Sequence, residues 1–293
     1  LADVVQERAM LHAQFGDFGE AQRLACETLA ISRELERVDW IAWGHDAAGW
    51  VSFLLGDFDA AATHYSAALA GFDQLNHDRG RSLALGGLGM VAWAGGDPIK
   101  AQSLNEQSLA LCRRIGLRLH VASRLGFLGM ILNELGDHQG AQTLAHEGLA
   151  IAAELNSRNF MAYNLICLAE AAYGQRNFAL ARSHLREVLS LTAQLGLLPA
   201  QLMGLYFVGD LLLQEVTHAQ ARPDMAKQQR QQAASLLNLV ALHPASWALF
   251  RQRSQRLLAL PAMQLLTQHG PTDSATVQPA DLPATVDRLI AAL

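Results

Sequence analysis

The chain has 293 residues, a formal net charge of −5 and 51% hydrophobic residues. A single compact domain of this length would usually divide into smaller units. The slight acidity and the absence of a basic run argue against binding to nucleic-acid phosphates, and the longest apolar stretch, residues 197–209, is too short to span a bilayer. The sequence therefore predicts neither direct nucleic-acid binding nor a membrane partner.

A Gly-Asp pair recurs every 40 residues from the first turn onward. A fixed period in this range indicates a repeat array in which each unit packs on its neighbours. Glycine readily takes the left-handed conformation that ends a helix, and Asp or Asn caps the helix that follows. The pattern therefore predicts two helices and a tight turn in each repeat. The pairs are Gly16-Asp17, Gly56-Asp57, Gly96-Asp97 and Gly136-Asp137, with a degenerate copy at Arg176-Asn177.

Small and apolar residues hold fixed places in the same period. The small residues would let the two helices of a pair approach closely, and the leucines would form the seam between helices. The small positions are Ala9, Gly49, Gly89, Gly129, Ala169 and Gly209 in the first helices, and Ala21, Ala61, Ala101, Ala141 and Ala181 in the second helices. The seam positions are Leu29, Leu69, Leu109, Leu149 and Leu189, followed by Leu35, Leu75, Ile115, Leu155 and Leu195.

These positions resemble the tetratricopeptide repeat. In that family a Leu-Gly step is followed by a small residue twelve positions later, as at Leu88-Gly89 with Ala101 and Leu128-Gly129 with Ala141. The usual period is about 34 residues, so both helices are longer here. The resemblance covers about residues 1–214. It implies an all-α, right-handed superhelical solenoid of antiparallel helix pairs with C-terminal capping helices.

The regular period stops after Glu215 and divides the chain into three predicted parts. Residues 1–216 form the solenoid, with about five and a half helix pairs. Residues 217–270 form an atypical terminal repeat and capping helices, because a repeat array must cover its last apolar face. Residues 271–293 form a loop and a final amphipathic helix.

The segment His243-Pro-Ala-Ser-Trp247 gives a second resemblance. Long repeats closed by such a segment are similar to the sensor arm of signal-transduction ATPases with numerous domains (STAND), whose members include bacterial transcriptional activators related to the maltose regulator. The resemblance implies a cytoplasmic regulator with a nucleotide-binding domain on the N-terminal side, outside this chain. Leu1 already falls inside a first helix, so we expect this sequence to be part of a longer protein.

Sequence motifs for catalysis are missing from this chain. It has no Gly-x-x-x-x-Gly-Lys-Ser/Thr, no His-Glu-x-x-His and no Gly-x-Ser-x-Gly. Cys26, Cys112 and Cys167 are odd in number and far apart, which favours reduced, buried thiols over a disulfide or a metal site. We therefore expect no enzymatic activity, no cofactor and no metal.

In tetratricopeptide arrays the first helices line the concave wall. Matching the repeat to the family assigns to this wall Trp43, Asp46, Trp50 and Phe53; Met90 and Trp93; Met130 and Asn133; Tyr163, Glu170 and Tyr173; and Tyr206 and Asp210. Aromatic side chains often dominate binding energy. One interpretation is that the wall binds a peptide, a protein segment or a small inducer, with the three acidic residues favouring a cationic group. The alternative is that these residues fill a narrow superhelical interior.

The sequence thus favours a non-catalytic sensor domain that recognises a peptide, a protein partner or a small inducer. It would be the regulatory arm of a larger bacterial signalling ATPase or transcription regulator. Two alternatives stay open: a constitutive protein–protein interaction scaffold without a switch, and a helper domain of an enzyme encoded on the same chain.

Overall fold

The computed structural model describes residues 2–218, 223–261, 263 and 282–293. Over these residues the chain is all-α, as predicted, with fourteen helices and no strand. The solenoid helices are α1 (Ala2–Phe15), α2 (Phe18–Glu34), α3 (Val38–Leu55), α4 (Phe58–Gln74), α5 (Asp78–Ala94), α6 (Pro98–Arg114), α7 (Arg118–Glu134), α8 (His138–Glu154), α9 (Arg158–Gly174) and α10 (Phe178–Leu195). They are followed by α11 (Leu198–His218), α12 (Pro223–Leu242), α13 (Ala248–Leu258) and α14 (Leu282–Ala292).

The Gly-Asp turns form as predicted. Gly56 ends α3 with φ of 94°, and the Asp57 carboxylate accepts a hydrogen bond of 3.0 Å from the Ala60 N–H at the start of α4. Asp17, Asp97, Asp137 and Asn177 cap their helices in the same way. Each cap satisfies a backbone donor that the helix cannot satisfy itself. These short turns join successive antiparallel helix pairs, which stack into a right-handed superhelical solenoid.

The seam is formed by the small residues and by the first of the two leucine columns. Ala61, Ala101 and Ala141 are fully buried, and so is Leu189. The prediction for the second column was wrong: Leu35, Leu75, Ile115, Leu155 and Leu195 are exposed, Leu35 to 54%. The first four of these are the residues that terminate α2, α4, α6 and α8, where the chain turns away from the neighbouring helix.

The C-terminal helices do more than cover the last repeat. Helix α12 packs on α11, where Gly209 lies against Leu237, and α14 buries Val286 and Leu289 as it packs on α10. Residues 243–258, which we call the inner segment, comprise His243-Pro-Ala-Ser-Trp247 and α13. This segment turns back along the solenoid and contacts α3, nearly two hundred residues earlier in the chain.

The predicted division into three parts stays a prediction. Residues 219–222, 262 and 264–281, which include the predicted loop, lie outside the described residues. Among the helices that the structure describes, none has the length and apolar character needed to cross a membrane.

Candidate ligand-binding cavity

The inner segment lies directly against the turns of the first two repeats. A Cβ built on Gly16 would lie 2.4 Å from the Ala245 Cβ, and one built on Gly56 would lie 2.6 Å from the Ala248 Cβ. At both turns only a residue without a side chain allows this approach. The Arg251 guanidinium also donates a 3.4 Å hydrogen bond to the Leu55 carbonyl at the end of α3.

Trp247 of the inner segment is the centre of an aromatic cluster. Its indole is buried, and the ring centroids of Trp50, Phe53, Tyr163 and Phe127 lie 5.3, 6.1, 5.9 and 6.3 Å away. These rings come from α3, α7 and α9, so a single side chain joins three repeats. Aromatic pairs at such distances contribute about 0.5–1.5 kcal/mol each beyond their buried area. Three of the predicted wall residues are therefore brought together by the chain's own tail.

Arg253 of α13 lies at the acidic part of the wall. Its guanidinium lies 4.5 Å from the Trp93 ring and donates a 2.7 Å hydrogen bond to Glu134, which also accepts the Trp93 indole N–H at 2.7 Å. Burial raises the pKa of Glu170 to about 8, and the Arg253 charge opposes that rise. Arg253 thus places a cationic group of this same chain near the predicted wall residue Glu170, while its ion pair is with Glu134.

Five further wall residues serve internal packing and hydrogen bonding. Met130 is fully buried, and the Asn133 amide donates to the Cys167 carbonyl at 3.0 Å. The Tyr173 hydroxyl donates a 2.8 Å hydrogen bond to Asp210, whose pKa is raised by burial although this bond lowers it. Tyr206 packs on Phe250 of α13 with centroids 5.2 Å apart. This part of the wall fits the alternative in which the residues fill the interior.

A cavity of about 400 Å³ remains between Trp247 and the first helices of the repeats, from α1 to α11. Five of the predicted wall residues line it: Trp43, Asp46, Trp50, Met90 and Tyr163. Its polar lining also includes residues that were not predicted, namely Tyr65, Arg79, His120, Ser123, Arg124 and Asn159. Its volume is in the range of small-molecule sites, which are mostly apolar with a few polar groups.

Tyr65 reaches the cavity from a second helix because two glycines make room for it. A Cβ on Gly87 would lie 2.3 Å from the Tyr65 ring, and one on Gly49 would lie 3.0 Å from it. The ring therefore passes between α3 and α5, where any side chain at Gly87 would block it. The sequence assigned the wall mainly to first helices and pointed only to residues of those helices, so this residue of a second helix was missed.

Arg124 is the most unusual group in the cavity. It is only 9% exposed, and its Nε and Nη1 atoms have no hydrogen-bond partner among the described residues. A Cβ on Gly86 would lie 1.8 Å from Nη1, so this glycine makes room for the guanidinium. The sequence did contain a signal for this residue. The equivalent position in other repeats is occupied by Gly44, Ala84, Asn164 and Gly204, and only the fourth repeat has a charged residue there.

Burial shifts the pKa of Asp46, of His120 and of Arg124 itself. It raises the pKa of Asp46 to about 7, although Arg124 and Arg79 both act to lower it. It lowers the pKa of His120 to about 4, an effect that the same two arginines reinforce. It also lowers the pKa of Arg124 itself, against the attraction of the Asp46 carboxylate. At neutral pH the two guanidiniums therefore outweigh the single, partly protonated carboxyl group.

The arrangement is suited to binding. Cavity-lining groups are donors, acceptors and aromatic rings, and the described residues contain no cluster of His, Cys, Asp and Glu that could hold a metal ion.

Residues 76–155, which span α5 to α8, match the family model of the tetratricopeptide repeat. These residues carry tetratricopeptide repeats. Proteins built from such repeats are generally non-catalytic and act in protein interaction or sensing. Among curated proteins, none matches the chain.

Solved structures with the same repeat architecture share little sequence with the chain. The apo form of RapI is 11% identical, with 98% of this chain and 99% of that chain covered and a TM-score of 0.59. A Rap protein complexed with competence and sporulation factor is 15% identical, with 79% and 65% covered and a TM-score of 0.53. At these identities the likeness concerns the fold alone.

A third similar structure is a Signal Transduction ATPase with Numerous Domains (STAND) protein with a tetratricopeptide repeat sensor, from Pyrococcus horikoshii. It is 14% identical, with 98% of this chain and 43% of that chain covered and a TM-score of 0.56. The chain thus spans less than half the length of that protein.

Proposed function

We propose that the chain is a non-catalytic sensor domain whose ligand binds in the cavity between the repeats and Trp247. The observation that carries this proposal is the cavity itself: five predicted wall residues line it, among them Trp43 and Trp50, and it keeps an open volume of about 400 Å³ where the rest of the wall is filled. Large aromatic side chains around an open space are typical of binding sites.

Trp247 gives the proposed sensor a way to transmit binding. It lines the cavity and is also part of the inner segment, which contacts α3, α11 and α12. A ligand that touches both the repeats and Trp247 would favour the seated position of the inner segment over a released one. It can shift that equilibrium only by its difference in affinity for the two states.

We further propose that the chain is the regulatory arm of a larger cytoplasmic bacterial regulator, with a nucleotide-binding domain as its partner. Two observations support this: the similarity of His243-Pro-Ala-Ser-Trp247 to the closing segment of such sensor arms, and the STAND protein whose tetratricopeptide repeat sensor shares the fold. In such a regulator, the two states would be those with the inner segment seated on the repeats and released from them, and the ligand would favour the seated state.

The test is a thermal-shift and calorimetric screen of metabolites and short peptides against the chain and two variants. Trp50→Ala removes a cavity residue, whereas Trp40→Ala removes a tryptophan of the same helix that does not line the cavity. We expect ligands that bind the unaltered chain and Trp40→Ala but lose about 2 kcal/mol of affinity in Trp50→Ala. Ligands that bind all three proteins equally would contradict the site. A stable protein complex that forms regardless of small molecules would favour a scaffold.

A further inference from the structure

We infer that the ligand of this cavity is a small organic carboxylate with an aromatic or apolar body, and that Arg124 binds its carboxylate. This inference rests on the proposed function of the same cavity and adds the chemical class of the ligand. It is carried by the juxtaposition of a buried guanidinium, two of whose nitrogens lack hydrogen-bond partners among the described residues, and an open volume walled by aromatic rings.

The first step is the state of the Arg124 guanidinium. A buried charge is costly unless it is paired and hydrogen-bonded. Arginine does not escape this cost by losing its proton, because its ordinary pKa lies far above neutral pH. Two of the nitrogens of Arg124 nevertheless have no hydrogen-bond partner among the described residues. The fixed fork of the guanidinium matches a carboxylate in geometry and charge.

The second step is that no protein group near Arg124 already fills this role. Asp46 is the one carboxyl group among the described cavity-lining residues, and the structure shows no hydrogen bond between it and Arg124. Arg79 adds a second cation at the exposed rim, where its guanidinium lies 5.5 Å from the Trp43 ring. The cavity therefore has an excess of positive charge, which a ligand with a single negative charge would reduce.

The third step is the body of the ligand. Trp43, Trp50, Phe127, Phe160, Tyr163 and Trp247 line the cavity, and its volume of about 400 Å³ suits a small molecule. The hydroxyl of Ser123 and the amide of Asn159 are also in the lining and could bind a second polar group. An aromatic or branched apolar acid uses both kinds of surface, whereas a free inorganic anion would leave the rings unused.

The test compares three probes that share one phenyl ring: 3-phenylpropionate, the uncharged 3-phenylpropionamide and the cationic 3-phenylpropylamine. Their binding to the whole chain is measured by ligand-detected NMR at millimolar concentrations. The variants are Arg124→Gln, Arg124→Lys and, as a control on the same helix, Arg118→Gln, whose side chain is exposed and paired with Glu154. Removal of an unpaired buried charge should not cost stability, so Arg124→Gln is expected to fold.

We expect the carboxylate to bind about tenfold or more tightly than the amide, since hydrogen bonds to charged groups are the stronger ones. Arg124→Gln should abolish this preference without changing amide binding, Arg124→Lys should keep part of it, and Arg118→Gln should keep all of it. Equal or tighter binding of the amide or the amine, or a preference that survives Arg124→Gln, would overturn the inference.

Trp50→Ala separates this inference from the proposed function. If the amide and the amine bind as tightly as the carboxylate and lose affinity in Trp50→Ala, the cavity is a binding site and the ligand class is wrong. If no probe binds in a way that depends on Trp50, both the ligand class and the site are wrong.

Discussion

At Asp46 the penalty of burial exceeds the attraction of two arginines. The carboxyl group lies near Arg124 on α7, Arg79 on α5 and Tyr65 on α4, and it shares the cavity with His120 of α7. Because its pKa rises from 3.8 to about 7 on folding, the folded chain binds more protons than the unfolded chain between these two pH values. Asp46 therefore destabilises the folded chain once the pH exceeds the pKa of the unfolded state. This destabilisation grows with rising pH and levels off above the pKa of the folded state.

Asp46→Asn should remove this part of the pH dependence. We expect the variant to gain stability relative to the unaltered chain as pH rises from about 4 to about 7, with no further relative gain above that range. Urea unfolding of both proteins across this range measures the difference. Glu170 and Asp210 produce a slope of the same sign in both proteins, so only the difference is informative. Parallel stability curves would show that Asp46 does not hold its proton in the folded chain.

Single residues also show what the sequence could and could not predict at the site. Trp43, Asp46 and Trp50 were predictable because they occupy fixed places in a repeat whose geometry is known. Arg124 occupies such a place too, but its importance lies in missing partners, which depend on how neighbouring helices pack. Tyr65 reaches the cavity only because Gly49 and Gly87 leave space, and that space depends on the tertiary structure.

At the scale of elements, the inner segment is held by the turns of distant repeats. Gly56 and Gly136 both have positive φ, 94° and 85°, so alanine is strained at either turn. A Cβ at Gly56 would also meet Ala248, whereas a Cβ at Gly136 would have nothing within 4 Å. The two positions therefore form a matched pair that isolates the contact with the inner segment.

Gly56→Ala should destabilise the chain more than Gly136→Ala does. Both variants lose about 1–2 kcal/mol to the left-handed conformation, and Gly56→Ala should lose about 1–3 kcal/mol more to overpacking. Chemical denaturation of the two variants measures both losses. Equal losses would mean that the inner segment does not lie against this turn.

Arg253 is the second attachment of the same element. The Arg253 charge favours the ionised forms of the buried carboxyl groups of Glu170 and Asp210. Arg253→Gln removes that charge, while both carboxyl groups stay buried. The substitution also breaks the ion pair between Arg253 and Glu134. Breaking a fully buried pair typically costs about 3–5 kcal/mol of stability. Because Arg253 and Glu134 are both partly exposed, we expect Arg253→Gln to lose about 1–2 kcal/mol. Arg256→Gln, an exposed arginine of the same helix, is the control. A loss no larger than that of the control would contradict the role given to Arg253.

The helix pairs were predictable from the sequence and the position of the inner segment was not. The period of 40 residues fixes turns, caps and the small-residue seam, because these are local and repeat in register. The inner segment lies outside the period, and its partners on α3 are nearly two hundred residues away. The exposed residues Leu35, Leu75, Ile115 and Leu155 show the same limit, since the apolar spacing of the helix continues to a residue at which the helix has already ended.

For the molecule as a whole, the inner segment changes how the solenoid is held together. In a simple array each repeat contacts only its neighbours, so stability is roughly a sum of local terms. Here Trp247 and Arg253 join α3, α5, α7 and α9 from inside. The cavity exists between the repeats and that segment, and a ligand bound there would contact both.

The most direct test of this account is hydrogen exchange at the backbone amides of α13. An 11-residue helix is marginal in water by itself, so any strong protection of these amides must come from seating against the repeats. We predict that the α13 amides in the unaltered chain exchange as slowly as the buried amides of α3. If the α13 amides exchange at the rate of an isolated short helix while those of α3 stay protected, the inner segment does not pack against the wall. The cavity between the repeats and Trp247 would then not exist.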